Sequence, residues 1–355
     1  AYVCAANLLS DVVSFRLTVY ESRRQNDELL PRILQCSCLG YHSWAPGVVL
    51  VGHPYFSLYG GHLKDCVGNV MVFAPSDVIV EGCELVRVWT FNAEREELPS
   101  SSGTPHFIDN VIGAPASDLY SEEPPLSWDG WVTVKAESLW EGNTIRVRWI
   151  TITSNAIFAD NPTILTEGRH QNFLICRSED PSADGQPLPE FYRNTFEQPI
   201  DSRIPIYEEH VRDEDGDIVE TKQMYRHLIR VLDDAAPLFE GNVFRNCVSG
   251  YPYCPFIDNP WSAIWIEDNA NPDLGGGERG SQGENVFEMQ STYRFYNSDL
   301  EIERGDVHHI HVNIGSRSLM LHASNNTWNT APRIRVVSGE VSWDVEPYSI
   351  RSGSF

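Results

Sequence analysis

The chain has 355 residues and a formal net charge of −24, with 41% apolar and 21% charged residues. That composition fits a folded protein with a large buried core, and a repeat fold could use the whole length as one domain. It disfavours nucleic acid as a partner, because no basic stripe is available to displace counterions, and no apolar run approaches the length of a membrane-spanning helix.

In chain order, the N-terminal "AYVCAANLLSD" lacks the basic stretch of an intact signal peptide and reads as a mature end after cleavage. "SFRLTVY" (14–20) alternates, with Phe15, Leu17 and Val19 on one face. It predicts a strand that covers an open end of β-structure or exchanges with a neighbouring subunit. "ESRRQNDELLPRILQ" (21–35) is the one stretch that resembles an amphipathic helix, and Pro31 interrupts it. Beyond it, short apolar runs alternate with Asn, Gly and Asp: "GVVLVG" (47–52), "SDVIVEGC" (76–83), "NTIRVRWITIT" (143–153) and "SAIWIEDN" (262–269). Short strands at close spacing predict an all-β chain. The eight cysteines contain no CxxC pair and read as disulfides or buried thiols of an exported protein rather than as metal ligands.

A loose period runs through the strands. Asn followed within two residues by an aromatic recurs at Asn172-Phe173, Asn194-Phe196, Asn242-Phe244, Asn285-Phe287 and Asn326-Trp328, with the asparagines 22, 48, 43 and 41 residues apart. Those separations approximate one or two copies of a unit in the low twenties. "LKDC" and "VEGC" place Cys66 and Cys83 at matching points of two shorter units. A repeat of this length with two or three short strands is one rung of a parallel β-helix. Asn tolerates the left-handed corner, its amide bonds along a stack of corners, and the aromatic stacks inward on its equivalent in the next rung.

The stretch "IWIEDNANPDLGGGERGSQGENVFEMQSTYRFYNSDL", followed by "LMLHASNNTWN", resembles bacterial right-handed parallel β-helix repeat proteins of the pectate-lyase-like superfamily. In that group a strand leads to a "DLGGG…GS…GxNxF" loop, then a "YDLYN"-like rung (here "YRFYN"), then an "A-x-x-N-x-W" rung (here "ASNNTW"). The match is close over residues 262–330 and weaker back to about residue 47. It implies an all-β, right-handed parallel β-helix (solenoid) over 46–345, with an N-terminal extension or cap at 1–45 and a C-terminal tail at 346–355. Pro- and Ser-rich stretches near 92–130 and 178–225 read as long side loops walling a groove. The superfamily contains lyases, hydrolases, epimerases, tailspikes and non-catalytic surface proteins, so the resemblance leaves the activity open. Gly275, Gly277 and Gly280 spell G-x-G-x-x-G, yet the loop runs into "ENVFE" rather than a helix and has no P-loop lysine, which excludes a dinucleotide site.

Several constellations carry candidate chemistry. Asp213, Asp215 and Asp217 alternate around Gly216, like the first half of a Ca2+ loop, or as a solvated hairpin turn. His309 and His311 stand two apart, which in a strand puts them on one solvent-facing side roughly 7 Å apart, with His308 turned the other way. Asp233-Asp234 is a carboxylate pair of the kind used in glycoside hydrolysis, but strand neighbours point apart and need a bend to cooperate. Arg169 and His170 could act as base and cation in a lyase, helped by Arg146 and Arg148 on a neighbouring rung. Trp128, Trp131, Trp140 and Trp149 crowd one region and form either a sugar platform or core.

Taken together, the residues predict an extracellular, cell-surface or periplasmic protein that binds a polysaccharide along a loop-walled groove and, if it is an enzyme, cleaves it as a lyase or a hydrolase. The competing reading is a non-catalytic protein of a surface layer or filament, assembled by end stacking or N-terminal strand exchange.

Overall fold

The structure is a computed structural model. It describes residues 12–17, 22–25, 28–34, 36–40, 60–64, 67–74, 77–92, 104–113, 130–147, 149–166, 174–177, 188–197, 208–212, 218–223, 227–245, 262–289, 292–296, 302–306 and 308–351. Among the described residues there are strands and turns and no α-helix. Contacts divide the chain into two compact units, Ala1–Ile164 with Pro187–Asn194, and Leu165–Gln186 with Thr195–Phe355.

In the first unit, Gly60–Lys64, Asp77–Glu81, His106–Ile108, Leu139–Glu141, Ile157–Ala159 and Glu190–Tyr192 pair in succession, all parallel and in register. Inward positions of this stack hold Phe107, Trp140, Phe158 and Phe191, whose rings follow one another at centroid distances of 4.0, 5.3 and 5.4 Å. All four are fully buried, each contributing about 1.5–3 kcal/mol of burial free energy. A second stack joins the first part of Glu84–Asn92 to Val111–Gly113 and Thr144–Val147. A third joins Val67–Ala74, the later part of Glu84–Asn92, Trp131–Val134 and Trp149–Ile152.

The second unit repeats the scheme. Leu174–Cys176, His227–Val231, Ser262–Glu267, Ile310–His322 and Ile334–Asp344 form one parallel stack. Thr195–Glu197, Val243–Arg245, Val286–Glu288, Thr327–Trp328 and Ser349–Ile350 form another. Its inward column runs Phe196, Phe244, Phe287 and Trp328, with centroids 5.3, 4.7 and 4.1 Å apart and interplanar angles of 12, 13 and 5°. The aromatic of the Asn-x-aromatic repeat therefore does stack on its successor. Parallel strands in stacked sheets are compatible with a parallel β-helix.

The corners show why the repeat exists. In the first unit Asn110, Asn143, Asn161 and Asn194 are buried and form a ladder. From Asn143 onward the Oδ1 of each accepts both the main-chain N–H and the Nδ2 of the one before it, as from Asn110 to Asn143 at 3.0 and 2.9 Å. The Nδ2 groups of Asn143, Asn161 and Asn194 also donate to the carbonyls of Phe107, Trp140 and Phe158. Asn242, Asn285 and Asn326 do the same in the second unit. The left-handed conformation belongs to the residue before the ladder asparagine: Asp109, Gly142, Asp160, Arg193, Gly241, Glu284 and Asn325 all have φ between 51 and 67°. The sequence reading gave that strain to the asparagine itself. The side chain instead needs the regular conformation to reach its neighbour.

Other expectations change. The helix-like stretch is strand: Ser22–Gln25 runs antiparallel to Glu28–Leu34. The N-terminal strand, Val12–Leu17, runs antiparallel to Cys36–Gly40 of the same chain. Strands of the stacks, at 106–113 and 190–197, lie inside both stretches read as side loops. "YRFYN" is not a rung: Thr292–Tyr296 forms an antiparallel hairpin with Ile302–Asp306. Cys83 and Cys176 are buried, and burial pushes the Cys176 thiol far up from its ordinary range. Cys83 fills an asparagine corner, its main-chain N–H donating to Asn110 Oδ1 at 2.9 Å.

Candidate functional site

Arg169, His170, Trp128, Arg148, Asp213, Asp215 and Asp217 lie outside the described residues. Around the last three, Glu208–Arg212 and Ile218–Gln223 form an antiparallel hairpin in which Glu220 pairs with Val211. Glu220, whose carboxylate a Ca2+ loop could recruit, is therefore in a paired strand, and Val219 stands at the irregularity between the pairs made by Glu220 and Ile218. Among the described residues no group of three or more His, Cys, Asp or Glu side chains is placed to hold a metal.

The tryptophans separate by face. Trp140 is wholly buried between Phe107 and Phe158, with its Nε1 donating to Ser138 Oγ at 2.9 Å. Its assignment to carbohydrate binding is corrected: neither ring face is free for a sugar. Trp131 and Trp149 point outward on the third stack, because Val132, Val134, Ile150 and Ile152 fill its inward positions. They are cross-strand partners, stacked at 5.3 Å and 7°. Trp89 meets Trp131 edge-on at 5.5 Å, and the Arg87 guanidinium lies 4.0 Å from the Trp131 ring centre. Arg87 is only 6% exposed, so this cation–π contact is partly shielded from water. Sequence reading missed Trp89 and Arg87; the outward position of Trp89 in the Val88-Trp89-Thr90 alternation was the available signal. Arg146 sits on the second stack, half-buried, and is not aligned with Trp131.

Asp233 and Asp234 lie on a tight turn, with the Ala235 N–H donating to the Leu232 carbonyl at 3.3 Å. Asp233 adopts φ 57°, supplying the bend that adjacent carboxylates require. The neighbouring strand ends in an equivalent turn, in which Asp268 has φ 52° and Ala270 N–H donates to the Glu267 carbonyl. Burial first, and then the Asp268 carboxylate, push the Asp233 carboxyl above its ordinary range, while Arg177 and Arg230 pull the other way. Arg230 is itself held by Glu267, with Nε to Oε2 at 2.7 Å, and Arg317 Nη1 donates to the Asp268 carbonyl. Asp233 thus holds its proton to a higher pH than an ordinary carboxyl group.

The histidines contradict the solvent-facing expectation. His309 and His311 are 2% and 1% exposed. His309 precedes the regular strand, at a bend, and packs edge-on against Trp328 at 4.8 Å. Its Nδ1 accepts the Arg333 main-chain N–H at 3.0 Å, so the ring proton sits on Nε2, which donates to Asn329 Oδ1 at 3.1 Å. His311 lies beside Trp265 and Arg335 in register, with its ring 5.1 Å from that of His308. The bend at His309 takes it off the face of His311, which alternates with Ile310 and Val312 inside the strand. Burial, as the largest cause, lowers His309 to about 4 and His311 to about 3.

The glycine loop also resolves. Asp273 is buried, and its Oδ1 accepts the N–H groups of Gly275 and Gly277 at 3.0 Å each, while Oδ2 accepts the N–H of Ser281 at 3.3 Å. The backbone donors that would cradle a phosphate bind the chain's own carboxylate. A Cβ at Gly277 would lie 2.7 Å from the Asp273 Cγ.

No protein-family model, no curated protein and no solved structure matches the chain.

Proposed function

We propose that the chain is a right-handed parallel β-helix protein of the pectate-lyase-like superfamily, displayed outside the cell, that binds a polysaccharide on the outer face carrying Trp131 and Trp149. The observation that carries this reading is the stacked pair itself: two half-buried indoles, in register on adjacent parallel strands, on the side of the sheet that the core does not use. Sugar rings stack on such faces through their C–H edges. Arg87 occupies one side of Trp131. The charge of −24 favours an uncharged glycan over a polyanion.

Taken by itself, the second unit offers a candidate acid for hydrolysis in Asp233, because its raised proton affinity suits protonation of a leaving oxygen, with Asp234 or Asp268 as the accompanying carboxylate.

Affinity electrophoresis in gels containing a neutral glucan, a xylan or polygalacturonate tests the reading. The wild type should be retarded by a neutral polysaccharide, and Trp149→Ala should lose roughly tenfold in affinity, the scale of one aromatic contact. Equal mobility of wild type and variant in every gel would overturn it.

A further inference from the structure

In the second unit, residues 329–333 connect Thr327–Trp328 to Ile334–Asp344. The His309 ring fastens both ends of this connection. Its Nδ1 accepts the main-chain N–H of Arg333 at 3.0 Å, and its Nε2 donates to Asn329 Oδ1 at 3.1 Å. Asn329 is itself set, because its Nδ2 donates to the Met289 carbonyl and its main-chain N–H to the Phe287 carbonyl at 3.1 Å. The backbone beneath the ring is tied to the same place. His309 N–H donates to the Arg333 carbonyl at 2.9 Å, and the His309 carbonyl accepts the N–H groups of Ala263 and Ile264 at 3.0 and 3.2 Å. The ring stands edge-on to Phe287 and Trp328, at 5.9 and 4.8 Å, and burial leaves water little access to either of its bonds.

Only a neutral imidazole fits this arrangement, with an acceptor at one nitrogen and a donor at the other. A second proton on Nδ1 sets one donor against another, the Arg333 N–H, and that bond is lost. The geometry points to an acid-operated latch: protonation of His309 releases the Arg333 end of the connection and loosens the start of Ile334–Asp344 while the rest of the second unit stays paired. The charges that face the ring act in the same direction, since Arg333 across the connection and His308 beside it on its own segment both disfavour a cation there. Among the described residues no carboxylate offsets them. Glu288, beside Phe287, is held by Arg245, and Glu267, at the far end of Ser262–Glu267, is held by Arg230; Thr327–Trp328 carries no charge. The latched ring therefore stays neutral down to about 4, whereas release returns it to the ordinary value near 6.5. The released form takes the proton first, so release is least above about pH 6.5, grows about tenfold per pH unit below it, and levels off below about 4, a gain of roughly 300-fold in all. This device is independent of glycan binding, which uses residues of the first unit.

Amide hydrogen exchange of the 355-residue chain between about pH 6.5 and 4.5, without glycan, tests it. The amides of His309 and Arg333 read the latch, and the Asn285 amide, bonded to Asn326 Oδ1 in the ladder, reads global unfolding. After correction for intrinsic rates, opening at His309 and Arg333 should rise about tenfold per pH unit as the solution is acidified, while Asn285 remains the better protected throughout. His309→Gln supplies an acceptor and a donor that do not titrate, so it should keep the protection and lose its dependence on pH. The wild type decides the matter even if the variant fails to fold. Protection of His309 and Arg333 that is flat across this range, or that falls only in step with Asn285, would overturn the proposal. So would a pH dependence that persists unchanged in His309→Gln.

Discussion

The side-chain oxygen of Asn285 accepts two hydrogen bonds from Asn242, one from its main-chain N–H at 3.0 Å and one from its Nδ2 at 3.1 Å. Asn285 in turn donates from Nδ2 to the carbonyls of Phe239 and Leu274, and its main-chain N–H donates to Asn326 Oδ1. One buried amide thus serves three successive layers. Asn285→Ala leaves buried donors and acceptors unpaired and should cost about 3 kcal/mol or more in urea unfolding, with an unchanged denaturant slope. Asn285→Asp keeps the acceptor, loses the donors and buries a charge, so it should also destabilise, and less at acid pH than at neutral pH. A loss below about 1 kcal/mol for Asn285→Ala would show that the ladder is not a source of stability.

The Asp273 carboxylate is the second structural test. Gly277→Ala drives a methyl group into it and Asp273→Ala empties the ring of N–H donors. Both should lower Tm, with Asp273→Ala the larger loss because three backbone donors, two of them buried, lose their shared acceptor. Neither the wild type nor Gly277→Ala should bind ATP or NAD in isothermal titration. A dinucleotide that binds the wild type and is lost in Gly277→Ala would return the loop to the cofactor class.

Acid should act through the buried histidines. In an unfolded chain histidine takes a proton near pH 6.5. In the fold His309 does so only at about 4 and His311 at about 3, because burial penalises their charged forms. Between those limits the unfolded state holds more protons, so the stability from this source is complete above about pH 6.5 and declines as pH falls through about 4 toward 3. His309→Gln, which keeps a polar side chain at the bend, should flatten the fall of unfolding free energy between pH 6.5 and 4. Identical slopes in wild type and variant would remove His309 from the account. Nitrogen NMR shifts should find the neutral His309 ring protonated at Nε2.

Asp233 carries the opposite sign. Its folded-state carboxyl binds a proton more tightly than in the unfolded chain, so its ionisation weakens the fold as pH rises through its raised value. Asn accepts the left-handed backbone of φ 57° and carries no charge. Asp233→Asn should therefore raise Tm at neutral pH, and the gain should vanish in acid. A variant less stable than the wild type at pH 7 would show that the Asp233 carboxylate is held by favourable contacts instead.

The repeat was legible because its physics is local. Asn242, Asn285 and Asn326 each precede their ring by two residues, and both groups must recur for either to stack. Asn110, Asn143 and Asn161 escaped notice because aliphatic residues, such as Ile112 and Ile145, fill the ring position in the first unit, where the aromatics moved to Phe107, Trp140 and Phe158. The facing of Trp140 was not legible. Its exposure depends on which strand of the layer it joins, and strand neighbours of either kind look alike in sequence. His309 misled for a related reason: alternation holds only inside a strand, and the bend that ends it depends on Asn329 and Arg333, 20 and 24 residues away. Asp233 and Asp268 lie 35 residues apart in sequence, and only the pairing of their strands brings their turns together.

Tryptophan fluorescence during titration with the polysaccharide that retards the wild type most directly tests the function assigned to the Trp131–Trp149 face. The account predicts a saturable emission change in the wild type, abolished in Trp149→Ala with the β-sheet circular dichroism spectrum intact. Binding of undiminished affinity by Trp149→Ala and Trp131→Ala would contradict it, because a ligand indifferent to both indoles does not lie on that face.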